Sequence, residues 1–438
     1  MNHTRSINKR LKAVLFIVSI VITCTRDYGD LHLTQLTLYL EYGIGAFWVG
    51  LALLKMLYKG SGRQTISEKD TLWFLKMYML PQILFFFYSL LIVGLGLASK
   101  KYIGTNLTSF IPIALAIIAY YFFKEKAYKY VCIAIAVSWG ISVLVALLQN
   151  GPSIISQAII QGYIDSYFTS SSLARDNYFE IHDIVLAVGY FVVFYYYSKI
   201  DEDKRNRQWN KRYLVLILIV AFLGVKRVAL LGVVLALLCR VSLLSKIGNR
   251  LRKCLIIGWI AFVLCILFIY ILSSGDWLFS FLRAHNINPA GRNRYYQAIL
   301  GLSTFSPAWI GLGRGAVSKI LNTEMTNLGV GGVHSDLIKI YVENGFILYV
   351  WWLWYFLIHN TKEYAKRFNI RAAVVYFGIT IYMFVLYTTD NTDSYFACQM
   401  LCVLLPMTFA VKERKQITSK IALIKCKELY HKKKTLYV

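Results

Sequence analysis

The segment from residue 275 to residue 335 contains the residues of this sequence that are best suited to chemistry. It carries the arginines Arg292, Arg294 and Arg314, and it ends close to His334. Guanidinium groups bind phosphate through planar pairs of N–H donors, and imidazole exchanges protons near neutral pH. The combination predicts a site that binds an anion such as a phosphate and moves a proton beside it.

His334 stands directly before an apolar segment that begins DLIKIYVENGFILYVWWLW. Ser335 or Asp336 is predicted to cap this helix, and the free N–H groups of its first turn would favour an anion nearby. Asp336 and Glu343 are weaker candidates for the site. At 100° of rotation per residue they lie about 200° and about 900° from His334, so neither is expected to orient the imidazole.

Glycines surround Arg314 in the run GLGRGA, residues 311–316. No strand pattern precedes this run, so a nucleotide-binding loop is not indicated. The glycines instead predict backbone that turns with positive φ or approaches another segment closely. Two arginines elsewhere complete the candidates: Arg227 in FLGVKRVALLG, and the weaker Arg175.

The composition indicates that these residues belong to a membrane protein. Hydrophobic residues make up 58% of the 438 residues and charged residues 16%, against about 45–50% and about 25% in soluble domains. A net charge of +26 would suggest nucleic acid in a soluble protein, but positive cytoplasmic loops explain it here. The 8 cysteines contain no CxxC pair, and no motif suggests a metal or another cofactor.

Twelve apolar segments are long enough to be interpreted as membrane-spanning helices. The first is predicted to be an uncleaved span, because no small-residue cleavage site follows it. The predicted spans are residues 11–25, 34–57, 71–98, 107–123, 128–148, 181–198, 212–225, 228–245, 253–274, 336–358, 371–389 and 394–411. The predicted fold is an all-α polytopic membrane protein, a single integral membrane domain over residues 1–438.

The positive charges predict the orientation of the spans. With the N-terminus in the cytoplasm, the cytoplasmic segments hold about three quarters of the Lys and Arg residues. Both termini are then cytoplasmic, and residues 412–438 form a basic tail near anionic lipid. The loops 149–180 and 275–335 face outward. The larger one is expected to carry short helices, the first starting at Arg292 and lying against the membrane surface.

Four short motifs resemble those of the bacterial O-antigen polymerases of the Wzy type and of the related O-antigen ligases. They are, in chain order, Lys226-Arg227-Val228-Ala229, Gly291-Arg292, Pro307 through Gly315, and His334-Ser335 followed by Glu343-Asn344-Gly345. Lys226 stands where the family usually has Ser. A fifth family segment, Arg-x-x-Gly, is matched at Arg175 without its glycine.

The resemblance implies a glycosyltransferase of the GT-C type in the bacterial inner membrane, with its active site facing the periplasm. It would polymerise undecaprenyl-pyrophosphate-linked oligosaccharides into O-antigen or a related polysaccharide, without a metal or cofactor. Arg227 and Arg292 would hold the pyrophosphate, and His334 would take the proton of the acceptor hydroxyl. Membrane lipid and a chain-length regulator protein would be partners, and nucleic acid would not. For Arg314 the family offers no counterpart, so its role in binding pyrophosphate is inferred from its position.

Other interpretations remain open. An O-antigen ligase would use the same donor and a different acceptor, lipid A-core. A flippase or transporter of lipid-linked sugar would line its interior with charges at mid-membrane depth, whereas most predicted spans carry none, with Glu41 as the main exception. Taken alone, His334 fits an ordinary interfacial histidine, and Arg227 fits a side chain that reaches the lipid headgroups.

Overall fold

A computed structural model of the chain describes residues 2–24, 34–58, 66–100, 109–153, 156, 182–199, 215, 227–244, 249–275, 277–285, 292–328 and 332–435. Its described elements are helices, numbered here in chain order. They are α1 (Asn2–Cys24), α2 (Thr34–Tyr58), α3 (Ile66–Gly94), α4 (Phe110–Phe123), α5 (Ala127–Asn150), α6 (His182–Ser198), α7 (Arg227–Leu244), α8 (Arg250–Ser273), α9 (Trp277–Ala284), α10 (Arg292–Leu300), α11 (Ala316–Thr323), α12 (Asp336–Trp354), α13 (Asn360–Arg367), α14 (Ile370–Thr389) and α15 (Phe396–Thr435).

Within the described residues, six helical segments are long and apolar enough to cross a membrane. They are Tyr39–Tyr58, Glu68–Gly94, Phe110–Gln149, Arg250–Ser273, Ile370–Thr389 and Phe396–Ser419. The third comprises α4 and α5, which a short turn at Lys124–Lys126 connects. Asp183–Ser198 and Val228–Leu244 are apolar but shorter. This part of the chain is therefore all-helical and has the apolar helices of a membrane-embedded protein.

In the described residues, helices account for most of each predicted span, but α3 ends at Gly94, before the predicted end of the third span at residue 98. A helix overlaps every predicted span except 212–225, which lies outside the described residues apart from Val215. The total of twelve spans remains a prediction. The last helix, α15, runs without interruption to Thr435, so the predicted tail from residue 412 continues that helix instead of forming a separate segment.

The span predicted over 336–358 is not a continuous α-helix. α12 is interrupted at Gly345, whose φ is 78° and ψ 174°. A π-helical segment, Tyr355–His359, then connects α12 to α13. The apolar pattern runs through both features, which explains why the sequence predicts one unbroken helix.

The helices separate into an enclosed centre and an outer layer. α14 and the first part of α15 are almost entirely buried. By contrast, α2 and α8 expose large apolar side chains along their length, for example Leu53, Leu57, Ile260 and Leu264. A continuous apolar surface of this kind is unfavourable in water and suits contact with lipid.

Contacts between helix ends sort the described segments into two sets. At one end, the Asp183 carboxylate accepts hydrogen bonds from the N–H groups of Ala397 and Cys398, at the start of α15. At the other end, the Asp70 carboxylate pairs with Arg367 and Arg414. The segments predicted to be external meet at the first end, and the segments predicted to be cytoplasmic meet at the second.

The loop after α8 carries three short helices, α9, α10 and α11. α10 begins at Arg292, as the sequence predicts. Tyr295, Tyr296 and Ile299 are buried, so one face of α10 packs against the other helices. That α10 lies against the membrane surface stays a prediction. The helix ends at Leu300.

Candidate functional site

The backbone around His334 is fixed by the start of α12. Ser335 is the N-cap, and its Oγ accepts a hydrogen bond of 3.4 Å from the N–H of Ile338, which confirms the predicted capping position. The N–H of Asp336 donates to the carbonyl of Asp390 at 3.2 Å. His334 itself has a φ of 49°, a left-handed conformation that costs a residue with a Cβ about 1–2 kcal/mol. The fold therefore holds this histidine in a strained position.

The imidazole of His334 faces a buried carboxylate. Its Nδ1 lies 4.0 Å from Oδ1 of Asp390, and the histidine side chain is 37% exposed while the aspartate is 1% exposed. Oδ1 of Asp390 also accepts hydrogen bonds of 2.9 Å from the N–H of Asn391 and from the hydroxyl of Tyr395. The carboxylate is thus held in place, and it can stabilise positive charge on an imidazole whose Nε2 remains available to another molecule.

The helix α10 brings Arg292 to the same place. The ring of Tyr295 lies 5.9 Å from the His334 ring, and the hydroxyl of Tyr296 donates to the His334 carbonyl at 2.8 Å. Burial raises the pKa of the Tyr295 hydroxyl, and Arg292 opposes that rise through its charge and a hydrogen bond. Arg292 and His334 therefore both adjoin Tyr295, so an anion bound by Arg292 would lie in the neighbourhood of the imidazole.

Asp336 belongs to a different set of contacts. Its Oδ2 accepts hydrogen bonds from the hydroxyl of Thr392 at 3.1 Å and from the N–H of Asp393 at 2.7 Å. The carboxylate of Asp393 in turn pairs with the ammonium of Lys339 at 3.2 Å. As expected from the helical rotation, Asp336 does not orient the imidazole. Instead it attaches the start of α12 to the turn that carries Asp390.

The helix α7 runs antiparallel to α14. Gly232, near the start of α7, packs against Tyr382. One turn later, the carbonyl of Ala236 accepts a hydrogen bond from Tyr197, and the ring of Tyr197 packs against Gly378, earlier in α14. The start of α7 therefore lies at the same end of the bundle as the end of α14.

Of the other predicted arginines, Arg227 is the first residue of α7, at this same end of the bundle. Arg294 is exposed on α10. Arg175 lies outside the described residues. The fold thus brings Arg227, Arg292 and His334 to one end, and a contact between the Arg227 side chain and the other two remains a prediction.

Arg314 is separate from this group and is 8% exposed. Its guanidinium donates to the carbonyl and the side-chain oxygen of Gln82 and to the hydroxyl of Ser109. Burial lowers the pKa of Arg314, and the charges of Asp393 and Glu343 oppose this. In this conformation the guanidinium ties the loop to α3 and α4 and is not presented at the surface, where a pyrophosphate would be reached.

The loop before Arg314 enters the break in α12. N–H groups of the loop donate to carbonyls before the break, and the first N–H after the break donates to a loop carbonyl, so the interrupted helix keeps its hydrogen bonds. The pairs are Leu312 to Val342 (3.0 Å), Gly313 to Glu343 (2.8 Å) and Phe346 to Trp309 (2.9 Å). Gly311, Gly313 and Gly315 all have positive φ. This confirms the prediction of close approach and positive φ for this run.

Glu343 fixes the same loop from the helix side. Its Oε1 accepts a hydrogen bond of 3.2 Å from the N–H of Val317, in the first turn of α11, and it also bonds the N–H of Gly315. The side chain is 1% exposed. Glu343 therefore caps α11 and, as expected, makes no pair with His334.

An internal cavity of about 30 Å³ adjoins these buried charges. Arg314, Glu343, Asn344 and Asp393 are among the side chains that line it. The interior thus contains more charge than the predicted spans indicated, because Arg314 and Asp393 come from loops and turns. A volume of this size has room for about one water molecule.

Asp390 is the residue of the site that the sequence analysis missed. It belongs to the polar run TTDNTDSY between two apolar segments, on the side predicted to be external. Several acidic and hydroxyl side chains in so short a turn were the available signal. Its pairing with His334 depends on how α12 and α14 pack, which residue spacing does not reveal.

Comparison with protein-family models gives no match to this chain. Comparison with curated proteins gives no significant relative.

Proposed function

We propose that this chain is a membrane glycosyltransferase that polymerises undecaprenyl-pyrophosphate-linked oligosaccharides, like the O-antigen polymerases its motifs resemble. One observation carries the proposal: His334, backed by the buried Asp390, and Arg292 both adjoin Tyr295, at the end of the bundle where α7 begins with Arg227. This arrangement supplies a proton acceptor and cationic groups for a phosphate leaving group. The remaining expectations, a GT-C-type fold of twelve spans in the bacterial inner membrane with cytoplasmic termini, belong to the same proposal.

In the proposed reaction, a hydroxyl oxygen of the acceptor sugar attacks C1 of the donor sugar. The bond between C1 and the pyrophosphate oxygen breaks, and the polyprenyl pyrophosphate leaves with the bonding electrons. The hydroxyl proton passes to Nε2 of His334, and Asp390 stabilises the resulting imidazolium. Arg292 and Arg227 stabilise the charge that develops on the pyrophosphate, because paired guanidinium donors match its oxygens. Residues of this chain thus account for each step.

The direct test uses purified protein in vesicles with lipid-linked oligosaccharide repeat units of defined structure. We expect a ladder of longer lipid-linked chains and one free undecaprenyl pyrophosphate for each bond formed. Adding lipid A-core to the same reaction separates the polymerase from the ligase. Transfer only to lipid A-core would show a ligase, and the absence of any transfer with an authentic repeat unit would contradict both.

The buried charges favour a second candidate, a transporter of lipid-linked sugar. Lys339, Glu343 and Arg314 occupy the interior, where such a protein needs polar groups. However, the adjoining cavity measures about 30 Å³, far below the several hundred Å³ of a pocket for a small organic ligand. The glycosyltransferase proposal therefore has the stronger support. A flux assay with fluorescent lipid-linked sugar in vesicles would detect the transporter directly.

A further inference from the structure

The short helix α9 presents an apolar face to its surroundings. Trp277 is 54% and Phe281 52% exposed, while Phe279 between them is 4% exposed. Residues four apart lie on one side of a helix and residues two apart on opposite sides. α9 therefore turns one large aromatic side chain inward and two outward, an arrangement that is unfavourable in water.

The position of α9 identifies what covers this face. α9 follows α8 after a short turn, and α8 is one of the helices long and apolar enough to cross a membrane. Like Trp277 and Phe281 of α9, Leu264 and Tyr270 of α8 are exposed apolar side chains. The indole N–H of Trp277 donates to the hydroxyl of Ser274, so its polar atom has a partner near the helix end. Tryptophan with a satisfied N–H and an exposed ring is typical of the boundary between headgroups and acyl chains.

The inner face of α9 leads to the candidate site. The Phe279 ring lies 6.3 Å from the ring of Tyr296, and Tyr296 bonds the carbonyl of His334. Tyr296 also belongs to α10, which starts with Arg292. Through Tyr296, α9 is therefore joined to the helix that carries Arg292 and to the backbone of His334.

We propose that the Trp277 and Phe281 face of α9 is seated in the outer leaflet of the bilayer, at the level of the headgroups. It holds the Arg292 side of the site at the height where a lipid-linked phosphate lies. The contact with lipid stands on the geometry of α8 and α9. Its assignment to the outer leaflet rests on the predicted sidedness of the bundle, and its consequence for the phosphate rests on the proposed function. A second copy of the chain or another protein on this face would be a different result of the same test.

The test places the photoreactive residue p-benzoylphenylalanine at Phe281 in the full chain, in vesicles of phosphatidylethanolamine and phosphatidylglycerol. Matched variants carry it at Leu264, on the lipid-facing side of α8, and at Phe279, on the buried side of α9. After irradiation, adducts are identified by mass spectrometry, and size-exclusion chromatography shows that each variant is folded.

We expect lipid adducts at Phe281 with a yield similar to that at Leu264, and loss of lipid adducts at Phe279. Adducts of Phe281 with a second chain, or no lipid adduct when Leu264 gives one, would overturn the proposal. The readout requires no glycosyl transfer, so its failure is distinguishable from a failure of the proposed function. If lipid adducts form while the protein transfers no sugar, the membrane contact stands and the glycosyltransferase assignment does not.

Discussion

The imidazole of His334 and the carboxylate of Asp390 face each other at 4.0 Å across the junction of α12 and α14. Tyr395 and Asn391 fix the carboxylate, and the N-cap Ser335 fixes the backbone beside the imidazole. The separation exceeds that of a hydrogen bond, and catalytic contacts commonly tighten only when substrate binds. The two side chains therefore face each other without a hydrogen bond between them in this structure.

The proposed role of His334 as proton acceptor predicts the effect of His334→Asn. Asparagine tolerates positive φ better than most residues, so this change removes the base with little added backbone strain. We expect turnover to fall about 10²–10⁴-fold, the usual contribution of a general base, with an unchanged melting temperature in detergent. The measurement is the rate of chain extension with lipid-linked repeat units.

The matched variant is Asp390→Asn, which keeps the shape of the partner and removes its charge. It should lower turnover less than His334→Asn does, and the double variant should be no worse than His334→Asn alone, because the aspartate acts through the imidazole. Full turnover of His334→Asn at a normal protein level would contradict the catalytic role and favour the alternative interpretation, an ordinary interfacial histidine.

The proposed binding of pyrophosphate by Arg292 and Arg227 predicts that lysine cannot replace either. Lysine keeps the charge but lacks the planar pair of donors, so Arg→Lys should fail nearly as badly as Arg→Ala. Lys226→Ser is the internal control, since Lys226 directly precedes Arg227 in the sequence and should be replaceable. The readout is the polysaccharide ladder in cells without the chromosomal copy, with protein abundance checked by immunoblot. Full ladders from both lysine variants would contradict pyrophosphate binding and indicate that these arginines only reach the lipid headgroups.

Several features of the fold could be predicted from the sequence because they depend on neighbouring residues. The length of the apolar segments predicts the helices, the polar pair Ser335-Asp336 predicts a cap at one of these two residues, and the glycines of the GLGRG run predict positive φ. The break at Gly345 could not be predicted, because the apolar pattern continues through it and the hydrogen bonds that stabilise it come from the distant loop around Gly311. The position of Arg314 in the loop predicts a side chain that faces outward. In the structure, hydrogen-bond acceptors on α3 and at the start of α4 enclose its guanidinium.

The contact between Gly311 and Gly345 predicts a strong effect of Gly345→Ala. An added Cβ would lie 2.5 Å from backbone atoms of Trp309 and Ile310, at a φ of 78°. Neither backbone can move without breaking the hydrogen bonds of the loop, so we expect a loss of about 3–5 kcal/mol in the free energy of unfolding. Gly140→Ala, at an exposed helical position with open space around it, should be neutral or slightly stabilising. Equal melting temperatures for the two variants would show that the close packing of the loop against Gly345 does not contribute to stability.

The partition of positive charge predicts the sidedness of the bundle. Alkaline phosphatase fused after residue 160 or residue 325 should be active, and fused after residue 205 or residue 365 inactive, because the enzyme folds only outside the cytoplasm. Contacts between helix ends already group the described segments in the same two sets. The opposite pattern at residue 325 would place the candidate site on the cytoplasmic side, away from an external lipid-linked substrate.

The ion pair between Lys339 and Asp393 predicts a dependence of stability on pH. Burial alone would raise the pKa of the Asp393 carboxyl, but the charges of Lys339 and Arg314 outweigh burial and hold that pKa below its ordinary value. A carboxyl whose pKa is lower in the folded state stabilises the fold above the unfolded pKa, about 3.9 for aspartate. The contribution is lost as the pH falls through the lower folded value.

Asp393→Asn should therefore cost about 1.5–3 kcal/mol at pH 7, the usual contribution of a hydrogen bond to a charged group. The difference from the unmodified protein should shrink once the pH falls below about 4. Glu125→Gln is the control, because its pair with Lys415 is largely exposed and such pairs contribute about 0–1 kcal/mol. Melting temperatures in detergent at several pH values give the comparison. A deficit of Asp393→Asn that stayed constant into acid would mean that the side chain acts through packing, without a role for its charge.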